Sequence, residues 1–196
     1  MNAIFLDTET NGLNSLKHYI LEVAFKILDV KTGKLRDQFH SLVSLTQEEW
    51  ARSDPESLAV NGFFLEELKK SDNRKTVGEK VIASLKKNEI QRGNAVFICQ
   101  NPSFDRAFFS QLVNPDEQEK LFWPYHWLDL ASMYWCQSIQ FGLLDPMRFP
   151  WETGFSKDRI AAVCGISPEK KPHRAMHGVD HLILCYQAVV GFPEET

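Results

Sequence analysis

The hydrophobic positions of this chain change their period along its length. Residues 3–7, "AIFLD", form a short continuous apolar run that ends in an acid, the pattern of a strand buried on both faces. Residues 19–30, "YILEVAFKILDV", fit helix or strand on periodicity alone. The Lys31-Thr32-Gly33-Lys34 turn arbitrates, because a Gly-containing turn between two apolar runs, with "LRDQFHSLVSL" after it, is a hairpin signal. Three consecutive strands are therefore expected, at about 2–7, 19–30 and 35–44, and expected to be antiparallel.

Beyond these strands the spacing turns helical. Thr46 with Glu49 three residues on is a capping box, and "SDPESLAVNGFFLEELKK" carries Pro55 into a helical segment. "TVGEKVIASLKKNEI" repeats its apolar residues at 77, 81, 82 and 85, one face of an amphipathic helix. "AVFICQN", 95–101, is a second buried strand, and a helix is expected to start at Ser103. "YHWLDLASMYWCQSI" holds a short strand or turn and then a helix, with Asp129 as its cap. The segment at about 137–155 contains Gly142, Pro146, Pro150 and Gly154 and is expected to be a loop at the substrate rim, with Asp145 unplaced. Ser156 and Gly165 bracket a further helix, and the last helix is entered after Pro172. The order defines one mixed α/β domain over 1–196, a central sheet with helices on its faces.

A chain of 196 residues, 43% hydrophobic and 24% charged, suits one soluble globular domain. The net charge of -4 argues against a broad duplex-wrapping surface, since phosphate binding is driven by Lys and Arg. It leaves room for a small substrate, or for one held through metal ions. The four cysteines lie in apolar runs with no C-x-x-C pair, which predicts buried free thiols in a reducing compartment. No signal peptide and no apolar stretch of membrane-spanning length stands out, so a cytoplasmic location with no membrane partner is the expectation.

Candidate chemistry sits where the strands end. In "FLDTETNGL" Asp7 and Glu9 are two apart, so on a strand both point to one face. Two adjacent carboxylates repel, and a divalent cation with oxygen ligands offsets that economically. In "FICQNPSFDRAFF" Asn101 and Asp105 fall just past a strand, at the sheet edge where open α/β sheets build their sites. Asp105 also suits a helix start on dipole grounds alone. In "KPHRAMHGVDHLILCY" His173, His177 and His181 could line one stripe of a helix, but no H-E-x-x-H pattern or nearby Cys supports a structural zinc site.

Taken together and in order, "FLDTETNGL", "NPSFDRAFF" and "PHRAM…D" resemble the DEDDh 3'–5' exonucleases, the family of the proofreading epsilon subunit of DNA polymerase III, ribonuclease T and oligoribonuclease. The resemblance runs the length of the chain. It implies a ribonuclease-H-like fold, three antiparallel strands followed by parallel strands separated by helices. It implies phosphodiester hydrolysis with two divalent metal ions, Mg2+ or Mn2+, held by Asp7, Glu9, Asp105 and a fourth carboxylate. A histidine would be the general base on the attacking water, and nucleoside 5'-monophosphates would leave from the 3' end of single-stranded DNA or RNA. Thr10, Gly12 and Leu13 would face the terminal nucleotide, with Asn101 beside it and Phe104 or Phe108 stacking on a base. Homodimerisation and association with a polymerase occur in such families; the motifs decide neither, nor DNA against RNA.

The last motif departs from the pattern. The family places an Asp five residues after its His; here that residue is Gly178, and the nearest acid is Asp180. Three arrangements stay open. The loop before the helix is two residues longer, so that Asp180 takes the usual place and His173 remains the base. Alternatively His177 is the base and pairs with Asp180. Or the fourth carboxylate is lost, and the chain is an impaired exonuclease-fold protein that binds nucleic acid or a partner protein. The close match of Pro172-His173-Arg174-Ala175 favours the first. An exonuclease fold acting on a small phosphodiester also suits the acidic charge balance.

Overall fold

A computed structural model describes residues 1–141 and 149–194. The opening apolar run extends to β1 (Asn2–Thr10), followed by β2 (Ile20–Asp29) and β3 (Leu35–Leu42), all antiparallel. Gly33, at φ 67, makes the turn between β2 and β3 that a side chain would strain. The chain then runs through α1 (Gln47–Trp50), α2 (Pro55–Asn61), α3 (Leu65–Leu68) and the long α4 (Arg74–Lys87). The capping box of Thr46 and Glu49 opens α1 as expected. β4 (Ala95–Cys99) returns parallel to β1 and leads into α5 (Pro102–Phe109) and α6 (Pro115–Lys120). β5 (Trp127–Asp129) pairs parallel with β4 and passes directly into α7 (Leu130–Phe141). α8 (Pro150–Thr153), α9 (Lys157–Val163) and α10 (Ala175–Val189) complete the chain.

The sheet order is β3-β2-β1-β4-β5, the mixed ribonuclease-H-like layout that the sequence resemblance implies. β1 lies at its centre, which is why its sequence is apolar on both faces. Ile4 and Leu6 pack with Val77, Val81 and Leu85 of α4 and Phe108 and Phe109 of α5. Ala3 and Phe5 face the other way, onto Leu130 and Tyr134 of α7, Ile160 of α9 and Val179 and Leu182 of α10. α5 and α10 thus cover opposite faces of β1. Among the described residues no helix is long and apolar enough to cross a membrane.

Several local expectations shift. α5 begins at Pro102 rather than Ser103, with Asn101 preceding it. Asp129 caps α7 as expected, accepting from the backbone N–H groups of Ala131 and Ser132. The expected loop at 137–155 is partly helical, since α7 runs to residue 141 and α8 forms one turn; Gly142, Asp145 and Pro146 lie outside the described residues. The cysteines are all free, but Cys136 is exposed, because α7 turns that position to solvent.

Candidate active site

β1 and β4 are parallel, and the chain leaves both at the same end of the sheet. The side chains beyond that end form a cleft of about 350 Å³, lined by Asp7, Glu9, Asn101, Phe104, Asp105 and His173, with Lys157 and Glu169. Asp7 and Glu9 share one face of β1, as their spacing requires. Thr8, between them, points to the other face, where its hydroxyl donates to Asp105 Oδ1 at 2.9 Å. That bond fixes the α5 acid against the strand that carries the other two. Glu9 and Asp105 are 9% and 5% exposed, so three acids crowd one largely dry corner.

The electrostatics follow from this crowding. Burial pushes Glu9 up to about 8, and the neighbouring Asp7 charge adds to the effect. Burial raises Asp105 also, again with the Asp7 charge, while the Thr8 hydrogen bond opposes it. Asp7 is raised by burial against the pull of Lys157. A set of hard carboxylate oxygens that repel one another in a cleft is the chemistry oxygen-preferring divalent cations use. A further buried oxygen, Glu169 Oε1, accepts no hydrogen bond. The donor set therefore fits a divalent metal in kind. Among the described residues no three acidic, His or Cys side chains already stand as a closed ligand group, and Asp7 is engaged by the Lys157 ammonium at 3.4 Å.

His173 reaches the cleft from the segment just before α10. Its backbone N–H donates to Val60 O at 3.2 Å, and Arg174 lies over the Phe63 ring at 3.9 Å, so α2 and the residues after it hold this segment in place. Glu22, on β2 opposite Glu9, accepts from the Ala175 N–H at 2.7 Å and so anchors the start of α10. Nδ1 of His173 lies 3.7 Å from Glu169 Oε1.

Two expected site residues are elsewhere. Asp180 is not brought to the cleft: it is half exposed and ion-paired with Lys26 of β2. The physical reason is helix phase. α10 begins at Ala175 without an extra residue pair, and two residues turn a helix by about 200°. Gly178 is the residue that faces the carboxylates, so close that a Cβ there would lie 2.2 Å from Asp7 Oδ2. His177 lines a separate small hollow with Asp180 and His181. This placement corrects the expectation that Asp180 is the fourth ligand, and with it the alternative that His177, paired with Asp180, is the base, since neither lines the cleft of Asp7, Glu9 and Asp105.

Of the remaining expected residues, Asn101 and Phe104 line the cleft, while Thr10, Gly12 and Leu13 lie at the end of β1 and in the turn after it. The Thr10 hydroxyl donates to Gly12 O at 2.8 Å, closing the turn after β1. The Gly12 backbone packs against the His18 ring, and Leu13 is 74% exposed. Phe104 is half-buried and tilts on Phe108, which is fully buried and so unable to stack on a base. Thr8, Glu22, Lys157 and Glu169 are the site residues that the sequence reading missed. Only Thr8 carried a signal, as the polar residue between two same-face acids.

A central mixed sheet with acids gathered beyond β1 and β4 is the ribonuclease-H-like arrangement. Comparison with known proteins agrees. The sequence family described as Exonuclease (RNase_T) matches residues 4–183, and the chain belongs to this family. Among solved structures, E. coli Exonuclease I in complex with a dT13 oligonucleotide superposes with a TM-score of 0.71 at 15% identity, over 97% of this chain and 41% of that one. Cell-death related nuclease 4 gives a TM-score of 0.75 at 15% identity, over 98% of this chain and 65% of that one. A 3'-exonuclease described in 3'-end specific recognition of a histone mRNA stem-loop gives 0.72 at 14% identity, over 98% and 65%. The chain spans less than two thirds of each of these proteins, and at such identities the likeness shows the fold. No curated protein of similar sequence matches the chain.

Proposed function

We propose that the chain is a divalent-metal-dependent 3'–5' exonuclease that removes nucleoside 5'-monophosphates from the 3' ends of single-stranded nucleic acid. The observation that carries this reading is the convergence of Asp7, Glu9, Asp105 and His173 on one cleft, from three separate segments of a chain in the exonuclease family. Asp7, Glu9 and Asp105 would hold the metal, Mg2+ or Mn2+, which when bound supplies Lewis acidity and offsets the phosphate charge. His173, which lines the cleft with Nδ1 3.7 Å from Glu169 Oε1, would accept the proton of the attacking water. The water oxygen bonds to phosphorus as the bond to the 3' oxygen breaks, and the departing 3' oxygen takes a proton from solvent. Asn101 and Phe104 flank the place of the terminal nucleotide, the half-buried ring offering one face to a base. Leu13 and Leu16, 74% and 93% exposed on the loop after β1, offer further apolar surface for bases.

The test is stepwise shortening of a 5'-labelled single-stranded oligonucleotide in Mg2+, Mn2+ and EDTA. Metal-dependent shortening that stops at a 3'-blocked end supports the reading; cleavage of the blocked strand, or none with either metal, contradicts it. The pairing of Asp7 with Lys157 favours one second reading, an exonuclease fold impaired in catalysis that binds single strands without turnover. The same assay separates the two.

A further inference from the structure

The place where the family motif puts its last carboxylate is filled here by other parts of the chain. A Cβ at Gly178 would lie 2.2 Å from Asp7 Oδ2, so the α10 backbone rests on that acid and leaves no room for a side chain. Lys157, the first residue of α9, extends into the same corner. Its ammonium lies 3.4 Å from Asp7 Oδ1, 2.8 Å from Glu169 Oε2 and 3.4 Å from Gly178 O. The Lys157 side chain is 13% exposed and that of Glu169 is 2% exposed, so this is an interior ion pair and not a surface contact. Glu169 comes from the loop between α9 and α10, and its second oxygen, without a hydrogen bond, faces His173 at 3.7 Å.

A buried ammonium on a carboxylate does part of what a metal ion does there: it offsets negative charge without water. We infer that the Lys157 ammonium, fixed by Glu169, is a resident cation that takes the place of one divalent ion at Asp7, so that the chain binds a single divalent ion where its family resemblance implies two. This rests on the metal-dependent reading above.

The experiment counts Mn2+ bound to the full chain, by electron paramagnetic resonance and calorimetric titration, in the wild type, Lys157→Met and Lys157→Arg. One Mn2+ per chain in the wild type and in Lys157→Arg, rising to two in Lys157→Met, is the expected result. Two in the wild type overturns the inference and leaves the metal-dependent reading standing, whether or not Lys157→Met folds. One in a folded Lys157→Met, confirmed by circular dichroism, also overturns it. No Mn2+ binding by the wild type overturns the metal-dependent reading, and this inference with it.

Discussion

α5 and α10 cover β1 from opposite faces, and both reach the same cleft, yet they treat their motif positions differently. α5 delivers Asp105 where the motif places an acid, and Thr8 from the strand beneath fixes it by a hydrogen bond. α10 delivers Gly178 where the motif places an acid, and its backbone settles onto Asp7. On the first face the chemistry is held by one short contact between neighbouring elements. On the second, the corner beside Asp7 is occupied by two residues from other segments, the ion pair of Lys157 and Glu169.

The comparison can be broken first at Asp7, which lines the cleft that both helices reach. Asp7→Ala is expected to cut mononucleotide release by about a thousandfold, on the order of 4 kcal/mol in transition-state free energy. Its circular dichroism spectrum should match wild type, since Lys157 keeps Glu169 as a partner. Activity within a few-fold of wild type would remove Asp7 from the chemistry.

On the α10 face, Gly178→Ala gains about 1 kcal/mol of helix propensity but forces a methyl group against the Asp7 carboxylate. Overpacking of this kind costs about 1–3 kcal/mol. A net loss in denaturant stability is therefore expected, and a stabilised variant would show that α10 does not rest on Asp7. On the α5 face, Thr8→Val removes the donor to Asp105 but keeps the shape. Loss of such an outer partner is expected to weaken Mn2+ binding by about tenfold or more; unchanged affinity would make the bond incidental.

A smaller effect is expected from pH. Folding raises Glu9 from 4.5 to about 8, so the folded state holds its proton more tightly. That margin is fully present below 4.5 and is lost as pH rises through about 8. The unfolding temperature of the metal-free protein should therefore fall across this range, and Glu9→Gln should flatten the fall. A slope identical in the two proteins would contradict the crowding of the acids.

The sheet and the α5 face were legible in the sequence because each rests on local signals. Strand period places Asp7 beside Glu9, and a buried run ending at Gln100-Asn101 places Asp105 just past a strand end. The α10 face was misread because the match of Pro172-His173-Arg174-Ala175 implied a loop two residues longer before the helix; α10 starts at Ala175, and its phase sends Asp180 to Lys26. Lys157 and Glu169 were invisible for another reason. They come from a polar helix start and a charged loop, about 150 residues or more from Asp7, and no spacing rule ties such positions together. Glu22 was hidden inside an apolar strand, where its role depends on a helix that begins 153 residues later.

The most direct test of the account sets the two faces side by side. Asp105→Asn and Asp180→Asn are compared with wild type for metal-dependent release of mononucleotides from a 5'-labelled single strand. The account predicts that Asp105→Asn loses about a hundredfold or more, and that Asp180→Asn keeps wild-type activity because its carboxylate faces Lys26. Loss of activity in Asp180→Asn, with Asp105→Asn unaffected, would contradict it.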